Sequence, residues 1–272
     1  MSVPLRRALV TGASSGIGAA TARALAEAGY RVVLLARRES ELRAVHESLR
    51  ENEHGEHLRV VCDLCDPAAL EAALARVDAE FGGLELLVNN AGLGYRAKVE
   101  ELDPALLERT FRTNVLAPFL LCKAALPLLR RGSEPVVVNI ASVVGRRGIP
   151  GQVAYSASKA AVCSIGEGLR VEWAGEDVAV CTLDPALTAT GFFEAQANPA
   201  HLPHPDLSGA SGPEQVAREV LALDRAPRPE RNLRAKWRLL ALLGLLAPRL
   251  ADRLLVRRLG GGWSAPRARR SP

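Results

Sequence analysis

Tyr155 and Lys159 stand four residues apart in the run Tyr-Ser-Ala-Ser-Lys. On a helix that spacing puts both side chains on one face, one turn from each other. An ordinary phenol titrates near ~10, too high to exchange protons readily at neutral pH. A lysine cation held beside it favours the phenolate and lowers that pKa, and a phenol so tuned serves as a general acid or base. Taken alone, the same pattern far more often describes a helix whose tyrosine packs inward and whose lysine is solvated. The rest of the chain decides between the two.

A glycine-rich turn, Thr11-Gly12-Ala13-Ser14-Ser15-Gly16-Ile17-Gly18, follows a short apolar strand at 8–10 and opens a helix to about Ala28. Glycines there permit a tight turn and let backbone N–H groups approach a pyrophosphate at the helix N-terminus. A second strand, Arg31–Ala36, ends where a nucleotide-binding fold faces the adenosine ribose. An acid at that point would bind the 2′-hydroxyl of NAD. This chain has Ala36 followed by Arg37 and Arg38, which suits the 2′-phosphate of NADP. A third strand, Leu58–Cys62, ends at Asp63, placed for an adenine amino group. A fourth, Leu84–Val88, runs into Asn89-Asn90-Ala91-Gly92, two amides that can pin strands and a small pair that lets a cofactor lie on the backbone.

Between these pieces lie helices at about 39–52 and 67–81, then a long helix at 103–130 with Asn114 in its middle. A solidly apolar strand, Pro135–Ile140, delivers Ser142. The helix that carries Tyr155 runs to about Trp173, and a strand at Val178–Leu183 ends in Asp184-Pro185-Ala186-Leu187-Thr188-Ala189-Thr190. Repeated β-α-β units with buried strands predict an α/β fold: one domain with a Rossmann-type, doubly wound parallel sheet of about seven strands and helices on both faces. Ligands in such sheets sit at the carboxyl ends of the strands, where these polar residues gather.

A length of 272 residues allows a large core, and 48% hydrophobic with 24% charged residues is ordinary for a soluble globular protein. The net charge of +5 is unevenly spread. Residues 225–272 hold thirteen Arg and Lys against Glu230 and Asp252, so residues 1–224 carry −6. The body is therefore not a nucleic-acid-binding surface by charge. The five cysteines form no disulfide framework and no paired zinc spacing, and Cys62-x-x-Cys65 reads as a strand end; no metal site is expected. The N-terminus shows no signal-peptide pattern, so a cytoplasmic location is expected, with association to the cytoplasmic face of a membrane as an addition.

Taken together, Thr11–Gly18, Asp63, Asn89–Gly92, Asn114, Ser142, Tyr155-x-x-x-Lys159 and Pro185-x-x-x-x-Thr190 resemble the short-chain dehydrogenase/reductase family, in its single-domain branch of roughly 250 residues. The resemblance covers residues 5–224. It implies four catalytic residues. Tyr155 would exchange a proton with a carbonyl or alcohol oxygen, and Ser142 would hydrogen-bond the same oxygen. Lys159 would hold the nicotinamide ribose and lower the Tyr155 pKa, while Asn114 would hold a water in a relay to Lys159. It implies cofactor contacts from Gly12, Ser14, Ser15, Gly16, Ile17, Gly18, Arg37, Arg38, Asp63, Leu64, Asn90, Ala91, Gly92, Tyr155, Lys159, Pro185, Thr188 and Thr190. It also implies substrate contacts from Ser142, Tyr155, Tyr95 and Ile149, and a homodimer or homotetramer. The chain departs from the family in having Ala186 where glycine usually follows the proline, a less permissive backbone position.

The segment at about 191–212 is where the family builds its substrate lid. Phe192 and Phe193 there read either as an apolar cover or as a helix packed on the core. Residues 225–259 read as a basic amphipathic helical extension and 260–272 as a disordered tail. The apolar run Leu239–Pro248 is too short to span a bilayer. With Trp237 and flanking arginines, residues 231–259 fit either an anionic membrane surface or packing on the cleft or on another subunit. The whole implies an NADP(H)-dependent oxidoreductase for a lipophilic carbonyl or secondary alcohol. The competing reading is a silent NADP-binding scaffold or sensor, which the presence of all four catalytic residues disfavours.

Overall fold

The central strands are predominantly apolar because both of their faces are covered. In the computed structural model, which describes residues 5–51, 55–233 and 235–259, seven parallel strands form one sheet in the order β3-β2-β1-β4-β5-β6-β7. They are β1 (Arg7–Thr11), β2 (Arg31–Ala36), β3 (Leu58–Val61), β4 (Leu86–Asn89), β5 (Val136–Ile140), β6 (Ala179–Asp184) and β7 (Glu230–Asn232). Side chains alternate between two cores with period two. Leu9, Val33, Leu35, Leu87 and Val137 enter one core. Val10, Val32, Leu34, Val88 and Val138 enter the other.

Helices α1 (Gly16–Glu27), α2 (Glu39–Glu47) and α8 (Pro213–Arg225) cover the second face through Leu25, Leu42 and Val216. The first face is covered by α3 (Pro67–Phe81), α5 (Ala117–Leu129) and α6 (Val153–Glu172) through Val77, Leu121 and Ile165. Chain order reverses between β1 and β4, which pair directly through Val10 and Val88. A crevice opens at the carboxyl ends of the strands at such a switch point, and the strand-end motifs converge there.

Two boundaries differ from the sequence expectation. The helix read over 39–52 ends at Glu47. The seventh strand lies beyond residue 224, inside the stretch assigned to the extension, and pairs Arg231 with Leu183. The helical run 104–129 is continuous but not uniform. Between α4 (Pro104–Phe111) and α5, residues Arg112–Leu116 form a wider π turn with Asn114 at its centre. That run is long and apolar enough by composition to cross a membrane, yet half of it is buried against this fold. After β7 come α9 (Ala235–Leu246) and α10 (Pro248–Leu259), packed on each other. The expectation of a disordered tail at 260–272 falls outside the described residues.

Candidate active site

The glycine turn is built by contact as much as by conformation. Gly12 has φ +65°, in the left-handed region. A Cβ on Gly18 would stand 2.3 Å from the Gly12 carbonyl oxygen and 2.6 Å from the Asn90 amide nitrogen. Asn90 Nδ2 in turn donates to Thr11 O at 2.8 Å, and Thr11 Oγ1 accepts from the N–H groups of Asn90 and Ala91. The motifs that end β1 and β4 are thus one unit. Asn89 donates to Asn139 at 2.8 Å and ties β4 to β5 in the same way.

A cleft of about 1080 Å³ runs over the strand ends. Gly12, Ser15, Gly16, Ile17, Arg37, Arg38, Asp63 and Leu64 line it where β1, β2 and β3 end. Asn90, Ala91, Gly92, Ser142, Tyr155 and Lys159 line its middle, and Pro185, Thr188 and Thr190 line it after β6. These residues fit a dinucleotide: a glycine-lined turn at a helix N-terminus, cations beside it, and polar side chains further along. Ser14 and Gly18 are not in the wall. Ser14 accepts a bond from Arg38 at 3.0 Å, and Gly18 serves the close approach just described. Arg38 also donates to Ser15 at 2.6 Å and meets Glu41 at 3.3 Å, while Arg37 faces Asp63 at 3.8 Å. Ala186 costs the backbone no strain, because its φ is not positive.

Ser142 caps a short 3₁₀ turn after β5, and Arg146, at the end of that turn, is clamped to Asp184 at 2.9 Å and Glu230 at 3.2 Å. The loop that presents Ser142 is therefore held by two strands. Tyr155 and Lys159 project from α6 as their spacing requires. Lys159 Nζ donates to Ile140 O, at the end of β5, at 2.8 Å and lies 6.0 Å from the Tyr155 ring centre. The ring of Phe192 lies 5.6 Å from that of Tyr155, with Phe193 edge-on to Phe192. Phe192, in the short helix α7 (Phe192–Ala195), Phe193 and Ile149 all line the cleft.

Two expectations need correction, those for the phenol and for Tyr95. The first concerns the phenol. Proximity to Lys159 was expected to lower the Tyr155 pKa, but burial pushes it up and is opposed mainly by the bond to Ser142. Burial also lowers Lys159 to about 8, against the pull of Cys163 and Asp184. Burial disfavours the charged form of each partner, the phenolate and the ammonium alike.

Asn114 stands behind the cleft rather than in its wall. Its Nδ2 donates to Leu93 O and to Ser158 Oγ, both at 2.9 Å, and its Oδ1 accepts from Leu93 N–H at 2.7 Å. The π turn brings this amide to where it clamps the Leu93 backbone against α6.

The second correction concerns Tyr95, expected as a substrate contact, which is buried and does not line the cleft. Its hydroxyl accepts from Asp103 N–H at 2.7 Å, and Tyr95 itself is bridged to Ala197 of the lid segment.

Sequence reading leaves open what closes the cleft. Trp237, Leu255, Arg258 and Leu259 from α9 and α10 line it, and Arg147 is ion-paired with Asp252 of α10. Arg109 of α4 also lines it. No motif spacing marks these positions. Of the alternatives left open for the extension, packing on the cleft is the one observed for its inner side.

A family model described as short chain dehydrogenase matches residues 6–200. The chain is 32% identical to dehydrogenase/reductase SDR family member 7B of Bos taurus, over 92% of this chain and 80% of that protein. Among solved structures it is similar to the alcohol dehydrogenase from the archaeon Thermococcus sibiricus complexed with 5-hydroxy-NADP. That likeness has 29% identity and a TM-score of 0.75, over 85% of this chain and 95% of that one. It is also similar to the 3-ketoacyl-(acyl-carrier-protein) reductase from Brucella melitensis complexed with NADH, with 26% identity and a TM-score of 0.75, over 85% and 98%.

Proposed function

Because the chain belongs to the short-chain dehydrogenase/reductase family, and so is an oxidoreductase of the alcohol–carbonyl couple, we propose that it reduces the carbonyl of a lipophilic small molecule with NADPH. The observation that carries the reading is one cleft. The glycine turn and two arginines lie at its β1–β2 end. Tyr155, Ser142 and Lys159 stand at its centre, and Phe192, Phe193, Trp237 and Leu255 from the lid, α9 and α10 line the remainder together with Arg109, Asp206 and Arg258.

Bound NADPH supplies the hydride. Tyr155, kept protonated by burial, donates its hydroxyl proton to the carbonyl oxygen. Ser142 hydrogen-bonds the same oxygen as negative charge develops on it. Lys159 spends one N–H on Ile140 O and keeps the others for the ribose and for the phenolate left after proton transfer. Arg146 fixes the Ser142 loop, and Asn114 fixes the strand-end backbone against α6. Phe192, Phe193, Ile149, Leu187 and Trp237 supply a large apolar share of the remaining wall, beside Arg109, Gln152, Asp206 and Arg258, and that share is what favours an aliphatic or ring ketone or aldehyde over a sugar.

The test of the substrate class is NADPH oxidation measured with matched series of lipophilic and polyhydroxylated carbonyls. A preference for the polyhydroxylated series would overturn that part of the reading. The cofactor choice rests on Arg37 and Arg38, with no acid at Ala36. Arg37→Ala and Arg38→Ala are each expected to raise the KM for NADPH by about 10–100-fold and that for NADH by less than about threefold, the loss of a charge-assisted bond to phosphate. Equal effects on the two cofactors would reject NADP as the preferred one.

A further inference from the structure

The outer side of the C-terminal helix pair has an order of its own that the reaction does not use. On α9, Leu239, Leu242, Leu245 and Leu246 are between 51% and 82% exposed. At the helical repeat these four share an arc of about 120° with Arg238. On α10, Arg249, Arg253 and Arg257 make a basic stripe, bordered by exposed Leu250 and Leu254. The opposite side of the pair is packed: Ala251 and Leu255 are buried, and Asp252 holds Arg147. Six basic residues against one acid give residues 235–259 a charge of +5.

We propose that this face docks the protein on an anionic lipid bilayer, with the leucine arc entering the acyl boundary and the arginine stripe at the headgroups. A contiguous apolar face of this kind is seldom left in water. The apolar helix, Trp237–Leu246, is ten residues long, half of what a span requires, so it lies in the interface plane. A symmetric contact between two copies would set one +5 helix pair against another, whereas phosphatidylserine headgroups complement both the stripe and Arg238. The inner side of the same pair lines the cleft through Trp237 and Leu255. The docked protein therefore holds its cleft beside the bilayer surface. Docking does not depend on which carbonyl is reduced.

The experiment is co-sedimentation of the full-length protein with phosphatidylcholine vesicles, with and without phosphatidylserine. Binding is expected only with phosphatidylserine and is expected to weaken as salt rises. Leu245→Glu/Leu246→Glu should weaken it by about tenfold or more, and Arg249→Glu/Arg253→Glu/Arg257→Glu by about a hundredfold or more. Both sets are solvent-facing, and Leu245→Ser/Leu246→Ser serves as a milder form if the glutamates perturb α9. NADPH turnover of a water-soluble carbonyl should stay unchanged in all three, so loss of docking and loss of activity read out separately. Failure to bind phosphatidylserine vesicles overturns the proposal. So does unchanged binding by the variants, which places the contact elsewhere in the chain. So does a concentration-dependent dimer, without vesicle binding, that the leucine variants abolish.

Discussion

Tyr155→Phe is expected to lower kcat for carbonyl reduction by about 10²–10⁴-fold, the range for removing a positioned general acid. The change deletes one oxygen and leaves the ring, so packing against Phe192 and the position of α6 should persist. Cofactor affinity should change by less than about fivefold, because the glycine turn, Arg37, Arg38 and Lys159 are untouched. Ser142 cannot replace the lost acid: a serine hydroxyl is a far poorer proton donor at neutral pH, although it still polarises the carbonyl. Single-turnover absorbance of NADPH with a saturating lipophilic ketone measures the chemical step directly. Parental turnover in this variant would remove Tyr155 from the reaction and with it the proposed mechanism. Burial raises the phenol, so the donor form is populated throughout the neutral range. Any fall in reduction rate between pH 7 and 9 must then come from another group.

Why the catalytic pair was readable and its electrostatics were not follows from what each depends on. Spacing on a helix is local, so Tyr155 and Lys159 share a face in any context. The glycine turn, Asn90 and Ser142 were equally legible, because each sits at the end of an apolar strand with period-two burial on both faces. A pKa depends on how much water the fold removes, and that is a property of the whole cleft. β7 escaped for the opposite reason. Glu230-Arg231-Asn232 contains no apolar residue, and only pairing with β6 makes it a strand. A charged sheet edge looks like a basic tail until its partner is known. Tyr95 shows the same limit. The family resemblance implies a substrate contact there, but the bridge to Ala197 and the bond to Asp103 turn it inward. The Arg147–Asp252 pair joins positions 105 residues apart, with no pattern to announce it.

Lys159→Met should abolish most turnover and at the same time make the cofactor-free protein more stable at neutral pH. Lys159 is 5% exposed, and burial lowers it from an ordinary 10.5 to about 8. Each unit of such a shift is worth about 1.36 kcal/mol, so carrying the charge in the folded state costs roughly 3 kcal/mol below pH 8. Methionine fills a similar length without the charge. It forfeits the hydrogen bond to Ile140 O, about 1 kcal/mol. A net gain of about 2 kcal/mol is expected at pH 7. The sign of its pH dependence is fixed. The folded-state pKa lies below the unfolded one, so the unfolded chain binds more protons between them and the parent gains stability as pH rises from about 8 towards 10.5. The advantage of the variant should therefore shrink over that interval. The buried thiols of Cys62 and Cys122, pushed up to about 11 and about 12, lose stability as pH climbs, but they do so in both proteins and cancel in the difference. Urea unfolding of both at several pH values measures that difference. A gap that stays constant from pH 7 to 10.5 would show that Lys159 carries no burial penalty. The same titration gives the group whose loss slows reduction above pH 8. As Lys159 loses its proton, the cation that steadies the Tyr155 phenolate disappears, so kcat/KM should fall there in the parent. A site that retains a lysine against this cost does so for the reaction, not for the fold.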